Sequence, residues 1–127
     1  MRVGQLRGLQ VLVGAQVVGL LAMTALGGMM MEQVGGARDL HGPLGEALPV
    51  LALVQGVVAV LARRAGGPAW PVWGSVVLLV ALLGIVGAGH VGSMSLHVPL
   101  GAASLGIAAV LLTRLLARPL GPDASAA

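Results

Sequence analysis

Four apolar stretches, each close to the length needed to cross a lipid bilayer, make up most of this 127-residue chain. They cover residues 9–31, 44–61, 72–92 and 96–116. A helix needs roughly 20 apolar residues to span about 30 Å of hydrocarbon. Soluble helices of this length carry a polar face, which these stretches lack. The sequence therefore predicts an all-α fold, a bundle of four transmembrane helices joined by short loops.

Composition supports the membrane assignment and excludes several classes of protein. Apolar residues are 57% of the chain and charged residues 9%, too few to cover the surface of a soluble domain. The calculated pI of about 11.6 reflects this scarcity of charge, because the chain has no basic run that could follow a nucleic-acid backbone. Cysteine is absent, which excludes disulfides, thiolate metal sites and thiol catalysis. The bilayer is thus the expected partner, and nucleic acid is not.

The arginines predict the orientation in the membrane. Six of the seven lie at one end of the predicted bundle and only Arg38 lies at the other. Because arginine is enriched in cytoplasmic loops, both termini should be cytoplasmic, in a multi-pass protein of a bacterial-type inner membrane. Residues 1–118 would form the four-helix domain. Residues 119–127, rich in Pro, Gly, Ser and Ala, are predicted to be a disordered cytoplasmic tail.

A short segment occurs twice, with an offset of 56 residues. Residues 39–45 read Asp-Leu-His-Gly-Pro-Leu-Gly and residues 95–101 read Ser-Leu-His-Val-Pro-Leu-Gly, with five of seven positions identical. Asp39 and Ser95 are expected to be N-caps, which would place each histidine and proline in the first helical turn. The chain then consists of two helical hairpins in a parallel internal repeat, with the second and fourth helices as neighbours.

The repeated histidines, His41 and His97, are the strongest candidates for a site. Ionisable groups inside membrane segments are costly, and neutral imidazole is a common axial ligand of haem iron. We therefore predict that the two histidines bind haem b at the extracytoplasmic side, within a four-helix bundle. Gly45 and Gly101, four residues after each histidine, would leave room for the porphyrin edge. Arg38 could pair with a haem propionate.

The two histidine segments resemble the haem-ligating second and fourth helices of four-helix membrane cytochromes of b type. They look most like one half of haem A synthase, which consists of two four-helix units with outward-facing histidine pairs. The chain is also similar to small uncharacterised bacterial four-helix membrane proteins whose fourth helix begins with Leu-His. In haem A synthase a glutamate lies three residues before the histidine of the second helix and an arginine follows it. Here Arg38 and Gly42 occupy those positions.

Two other functions stay open at this stage. The chain could be a non-catalytic membrane subunit or scaffold with structural histidines. It could also bind Cu(I), since thioethers and imidazoles suit this ion and residues 29–31 are methionines, with Met94 between His90 and His97. The sequence contains no phosphate-binding loop, nucleophile elbow or zinc-protease motif, and it gives no support for an enzyme. It leaves open a membrane redox partner for electron transfer, a homo-oligomeric state and the roles of His90 and the methionines.

Overall fold

The computed structural model describes residues 1–118 and consists of four α-helices. Helix α1 is Val3–Met31, α2 is Ala37–Arg64, α3 is Trp70–His90 and α4 is Met94–Leu116. All four are long and apolar enough to span a membrane, which supports a multi-pass membrane protein. The predicted all-α four-helix bundle is thereby confirmed. The predicted tail, 119–127, lies outside the described residues.

The helices pack as a ring in chain order. Direct contacts join α1 with α2, α2 with α3, α3 with α4, and α4 with α1. Within residues 1–118, no Cα atom of α2 lies within 8 Å of a Cα atom of α4, so these two helices are diagonal partners. The expectation that they are neighbours is therefore wrong. Because the connecting segments are only three to five residues long, each helix packs beside its predecessor, and alternate helices become diagonal.

Both histidine-bearing helices begin earlier than the repeat predicts. The residue before α2 is Gly36, in the left-handed conformation with φ 79°, and Ser93 precedes α4. Neither helix start has a side-chain capping hydrogen bond. The expectation that Asp39 and Ser95 are N-caps is wrong, because the tight turn at Gly36 and the short 91–93 connection start the helices two or three residues sooner.

The early helix starts place Pro43 and Pro99 inside α2 and α4 rather than in their first turns. Proline has no backbone N–H, so the carbonyls four residues earlier, those of Asp39 and Ser95, lose their usual intrahelical donor. In both helices the backbone hydrogen-bond pattern is therefore interrupted by a proline two residues after the histidine.

When the buried positions of α2 are shifted by 56 residues, they include all the buried positions of α4. The same shift does not bring the buried positions of α1 onto those of α3. In α2 and α4 four buried pairs match, among them Leu48 with Ser104 and Ala52 with Ala108. In α1 and α3 the buried positions match instead at an offset of 62, as in Gln16 with Leu78 and Leu20 with Leu82. The common register is thus a property of α2 and α4, and a tandem repeat of whole hairpins is not shown.

Two buried glutamines link neighbouring helices through the core. Gln16 of α1 donates its Nε2 proton to the Leu48 carbonyl of α2 at 3.0 Å. Gln55 of α2 donates to Ser75 Oγ of α3 at 2.8 Å, and Ser75 donates to the Pro71 carbonyl at 2.7 Å. Interhelical hydrogen bonds of this kind contribute about 0.6 kcal/mol each in membranes. They fix the rotation of α1, α2 and α3 relative to each other.

Candidate functional site

The candidate site lies at the end of the bundle opposite most of the arginines. We call this the histidine end; it is where α2 and α4 begin. His41 is the fifth residue of α2 and His97 is the fourth residue of α4. With a rise of about 1.5 Å per residue, both histidines lie roughly 4 to 6 Å below the helix starts. The two side chains are therefore at nearly equal depth.

The imidazole rings of His41 and His97 meet across the bundle axis. Their centroids are 6.1 Å apart and their planes are inclined by 41°. Because α2 and α4 are diagonal, this contact crosses the interior of the bundle instead of joining two packed neighbours. The structure thus brings together the two histidines that the sequence singled out, although the helices carrying them are not adjacent.

His97 is held by a hydrogen bond to α3. Its Nδ1 lies 2.9 Å from the backbone carbonyl oxygen of Ile85. A carbonyl can only accept, so Nδ1 carries the proton and donates it. In the neutral ring, Nε2 then has the free lone pair. Metal-binding histidines in proteins are commonly oriented by such a bond from the other ring nitrogen.

His41 has a different environment. Its Nδ1 is buried and has no hydrogen-bond partner among residues 1–118. A buried polar nitrogen without a partner is unfavourable by about 1 to 3 kcal/mol, and such groups often belong to functional sites. His41 therefore has unused hydrogen-bonding or metal-binding capacity in the bundle interior.

Two glycines that sequence reasoning missed lie against the imidazoles. A Cβ at Gly89 of α3 would lie 3.2 Å from both Cε1 and Nδ1 of His97, closer than side chains normally approach. A Cβ at Gly27 of α1 would lie 3.9 Å from His41 Cε1, an ordinary contact. The signal was weak because glycine is frequent in this chain and neither position follows the repeat. Only the packing of α1 and α3 against the histidines identifies them.

We predict that Gly89→Ala destabilises the protein relative to Gly87→Ala. Both changes replace glycine by alanine, which is more favourable in a helix by about 1 kcal/mol, so this contribution cancels in the comparison. The Gly87 Cβ position is open, whereas the added methyl at Gly89 presses on the His97 ring and its bond to Ile85. We expect a difference in unfolding free energy of about 1 to 3 kcal/mol. Thermal unfolding of both variants in the same detergent measures it, and equal stabilities would contradict the contact.

Gly45 and Gly101, the two glycines predicted to leave room for a porphyrin, differ in the space around them. A Cβ at Gly101 would meet no atom within 4 Å, so there is open space beside α4. A Cβ at Gly45 would be 3.0 Å from the terminal methyl of Met23, so the α1 side chain occupies that space. Arg38 is exposed on the first turn of α2, three residues before His41 and therefore on the same side of the helix. These three residues stay candidates for the roles predicted from the sequence.

His90 is the last residue of α3 rather than a loop residue, and it is separate from the histidine pair in its contacts. Its Nδ1 lies 2.9 Å from the Val86 carbonyl of its own helix. Its Nε2 is 3.9 Å from Glu46 Oε1, and the two side chains are 67% and 68% exposed. At such exposure this contact contributes little to stability.

Three of the four methionines considered for Cu(I) lie on the outside of the bundle, and the fourth, Met30, is half-buried. Met29, Met31 and Met94 are 39%, 86% and 56% exposed. Their thioethers are thus directed to the surroundings rather than packed into the interior where the imidazoles meet.

The donor set of the site is limited to two imidazoles. Within the described part of the chain, no three side chains of His, Cys, Asp or Glu form a group that could hold a metal ion. Bare Zn²⁺ normally requires about four ligands, of which at least three come from the protein. Haem iron needs only axial ligands from the protein, because the macrocycle supplies the others. Two imidazoles therefore suit haem better than an isolated ion.

No protein-family model, curated protein sequence or solved structure matches the chain.

Proposed function

We propose that this membrane protein binds haem b between His41 and His97. The observation that supports it is the 6.1 Å separation of the two imidazole centroids across the bundle. Two imidazoles that ligate one iron have centroids about 6 Å apart, since each metal–nitrogen bond is about 2 Å. The existing separation is close to this value without any movement of the backbone.

The surrounding residues have defined roles in this proposal. The bond from His97 Nδ1 to the Ile85 carbonyl directs the Nε2 lone pair to the iron and raises its basicity. The open space at Gly101 accommodates one edge of the macrocycle. On the opposite side, Met23 must withdraw from Gly45, which its unbranched and flexible side chain allows. Arg38 is available for a propionate by a charge-assisted hydrogen bond.

Electron transfer is the activity that such a site would serve. Bound haem b supplies reversible one-electron exchange at its iron. The chain's own contribution is to hold two imidazoles within roughly 6 Å of the bundle end, where a redox partner at the membrane surface can approach. The proposal therefore includes electron transfer at the histidine end, with a membrane redox partner.

Haemin titration of the purified protein tests the proposal. We expect saturation at one haem per chain, together with a sharp Soret band and resolved α and β bands after reduction. Protein that takes up no added haemin in detergent or in lipid nanodiscs would contradict haem binding. A scaffold with structural histidines, in which the bond from His97 to Ile85 merely ties α4 to α3, would then be the better account.

The proposal includes an orientation, with the histidine end outside and both termini in the cytoplasm. Six of seven arginines lie at the opposite end, and arginine-rich loops are retained in the cytoplasm. We predict that reporter fusions after Arg64 and after Arg118 both report a cytoplasmic location. A fusion after Gly35 is the matched control and should report the outside. An outward signal from either of the first two fusions would refute this orientation.

A further inference from the structure

A groove between α3 and α4 opens on the outside of the bundle at the end that holds most of the arginines. It has a volume of about 570 Å³ and a mostly apolar lining. Its lining includes both tryptophans of the chain, Trp70 and Trp73, as well as Gly106 and Arg114. A Cβ at Gly106 would meet no atom within 4 Å, so this glycine leaves part of the groove open.

Two positive charges lie at the mouth of this groove. The guanidinium carbon of Arg114 is 6.0 Å from the centre of the Trp70 ring, and that of Arg118 is 5.9 Å from it. Both distances are in the range of cation–π attraction, which holds the two arginine heads beside one aromatic ring. Trp70 begins α3, so this cluster lies where the helix leaves the hydrocarbon. The groove is therefore apolar along its length and cationic at its end.

We propose that the α3–α4 groove is a binding site for an anionic phospholipid. The acyl chain lies against Gly106 and Trp73, and the headgroup phosphate pairs with Arg114 and Arg118. Charge complementarity selects the anionic lipid, because the apolar part of the groove accepts the acyl chain of any phospholipid equally well. Guanidinium groups bind phosphate oxygens through paired hydrogen bonds.

A second groove provides an internal comparison. It lies between α2 and α3, has a volume of about 380 Å³ and includes Arg64 in its lining. It contains neither tryptophan, and each groove has one arginine in its lining, Arg64 here and Arg114 in the α3–α4 groove. The α3–α4 groove differs in that a second arginine, Arg118, lies beside Trp70 at its end, and in that the two tryptophans provide an intrinsic fluorescence signal.

Fluorescence quenching by brominated lipids tests the proposal on the full chain. Trp70 and Trp73 are the only tryptophans and both line the groove, so the intrinsic emission reports directly on its occupant. Wild-type protein is reconstituted in phosphatidylcholine with a fixed fraction of brominated lipid, either phosphatidylglycerol or phosphatidylcholine. We expect brominated phosphatidylglycerol to show about 30-fold higher apparent affinity, because each of the two arginines near an anionic lipid contributes about 1 kcal/mol. Equal quenching by the two lipids would overturn the proposal.

Point variants then test whether the preference for the anionic lipid arises at this groove. The double change Arg114→Gln with Arg118→Gln should reduce the preference to about one, whereas Arg64→Gln and Arg7→Gln should retain it.

Gly106→Leu should fill the groove and lower quenching by both lipids. Gly87→Leu, a change at an equally open position on the histidine half of α3, should leave quenching as in wild type. Retained preference in the double variant, or unchanged quenching in Gly106→Leu, would show that the lipid binds elsewhere and would refute the site.

Discussion

Replacing either His41 or His97 by alanine is expected to abolish the low-spin absorption spectrum of the haem-loaded protein. In the proposed site His41 and His97 would hold the haem between them, and within residues 1–118 no third His, Cys, Asp or Glu side chain groups with them to take over this role. Loss of either imidazole would leave the haem with a single protein ligand, so the narrow α and β bands of the reduced form would disappear. Absorption spectra of oxidised and reduced protein, recorded at matched haem and protein concentrations, measure this loss.

His90→Ala is the matched control, since His90 is at the same end of the bundle but hydrogen-bonds to the Val86 carbonyl and lies 3.9 Å from Glu46. It should leave the low-spin spectrum unchanged. If His90→Ala removes the spectrum while His41→Ala retains it, then the ligand assignment is wrong even though haem is bound.

Gly101→Leu is expected to weaken haem retention by about tenfold or more with both histidines intact. The wild-type space beside Gly101 is open, so the leucine fits the haem-free protein but occupies volume that the porphyrin needs. Overpacking of this kind costs about 1 to 3 kcal/mol, and 1.4 kcal/mol corresponds to a tenfold change in affinity. The rate of haem transfer to excess apomyoglobin, followed at the Soret band, gives the retention directly.

Gly42→Leu is the control for this change. Gly42 is next to His41 but exposed, and a Cβ there also meets no atom within 4 Å. It should retain haem as wild type does. Equal retention in Gly101→Leu and Gly42→Leu would mean that the macrocycle does not reach α4 at this glycine.

The sequence was sufficient to predict the four helices and the depth of the histidines. Helix length and hydropathy are local properties, so the spans follow directly from the stretches near residues 9–31 and 96–116. Equal depth of His41 and His97 follows because both lie a similar number of residues from the start of a helix at the same end. Binding of one haem by both histidines requires that they lie close together, and the structure places their ring centroids 6.1 Å apart.

The sequence was not sufficient for features that depend on packing between helices. The diagonal relation of α2 and α4 arises from the order in which four helices close a ring, which a repeat of one segment does not encode. The roles of Gly89 and Ile85 depend on the rotation of α3, which places a glycine and a carbonyl beside His97. The difference between Gly45 and Gly101 depends on Met23 of another helix.

His41 and His97 lie in similar sequence segments, but their side chains have different surroundings in the bundle. α2 and α4 present their histidines at matching positions, but α1 offers His41 only an ordinary contact at Gly27. By contrast, α3 offers His97 both a close glycine and a carbonyl acceptor. The register of α1 and α3 differs from that of α2 and α4, so the two imidazoles face different neighbours.

Electron paramagnetic resonance of the oxidised, haem-loaded wild-type protein tests the central claim most directly, because it reports the axial ligands of the iron. Ligation by both His41 and His97 predicts a low-spin ferric signal typical of two imidazoles, which changes to high-spin in each single alanine variant. A high-spin signal from the wild-type protein, or a low-spin signal that survives in His41→Ala and His97→Ala alike, would contradict haem binding between these two histidines.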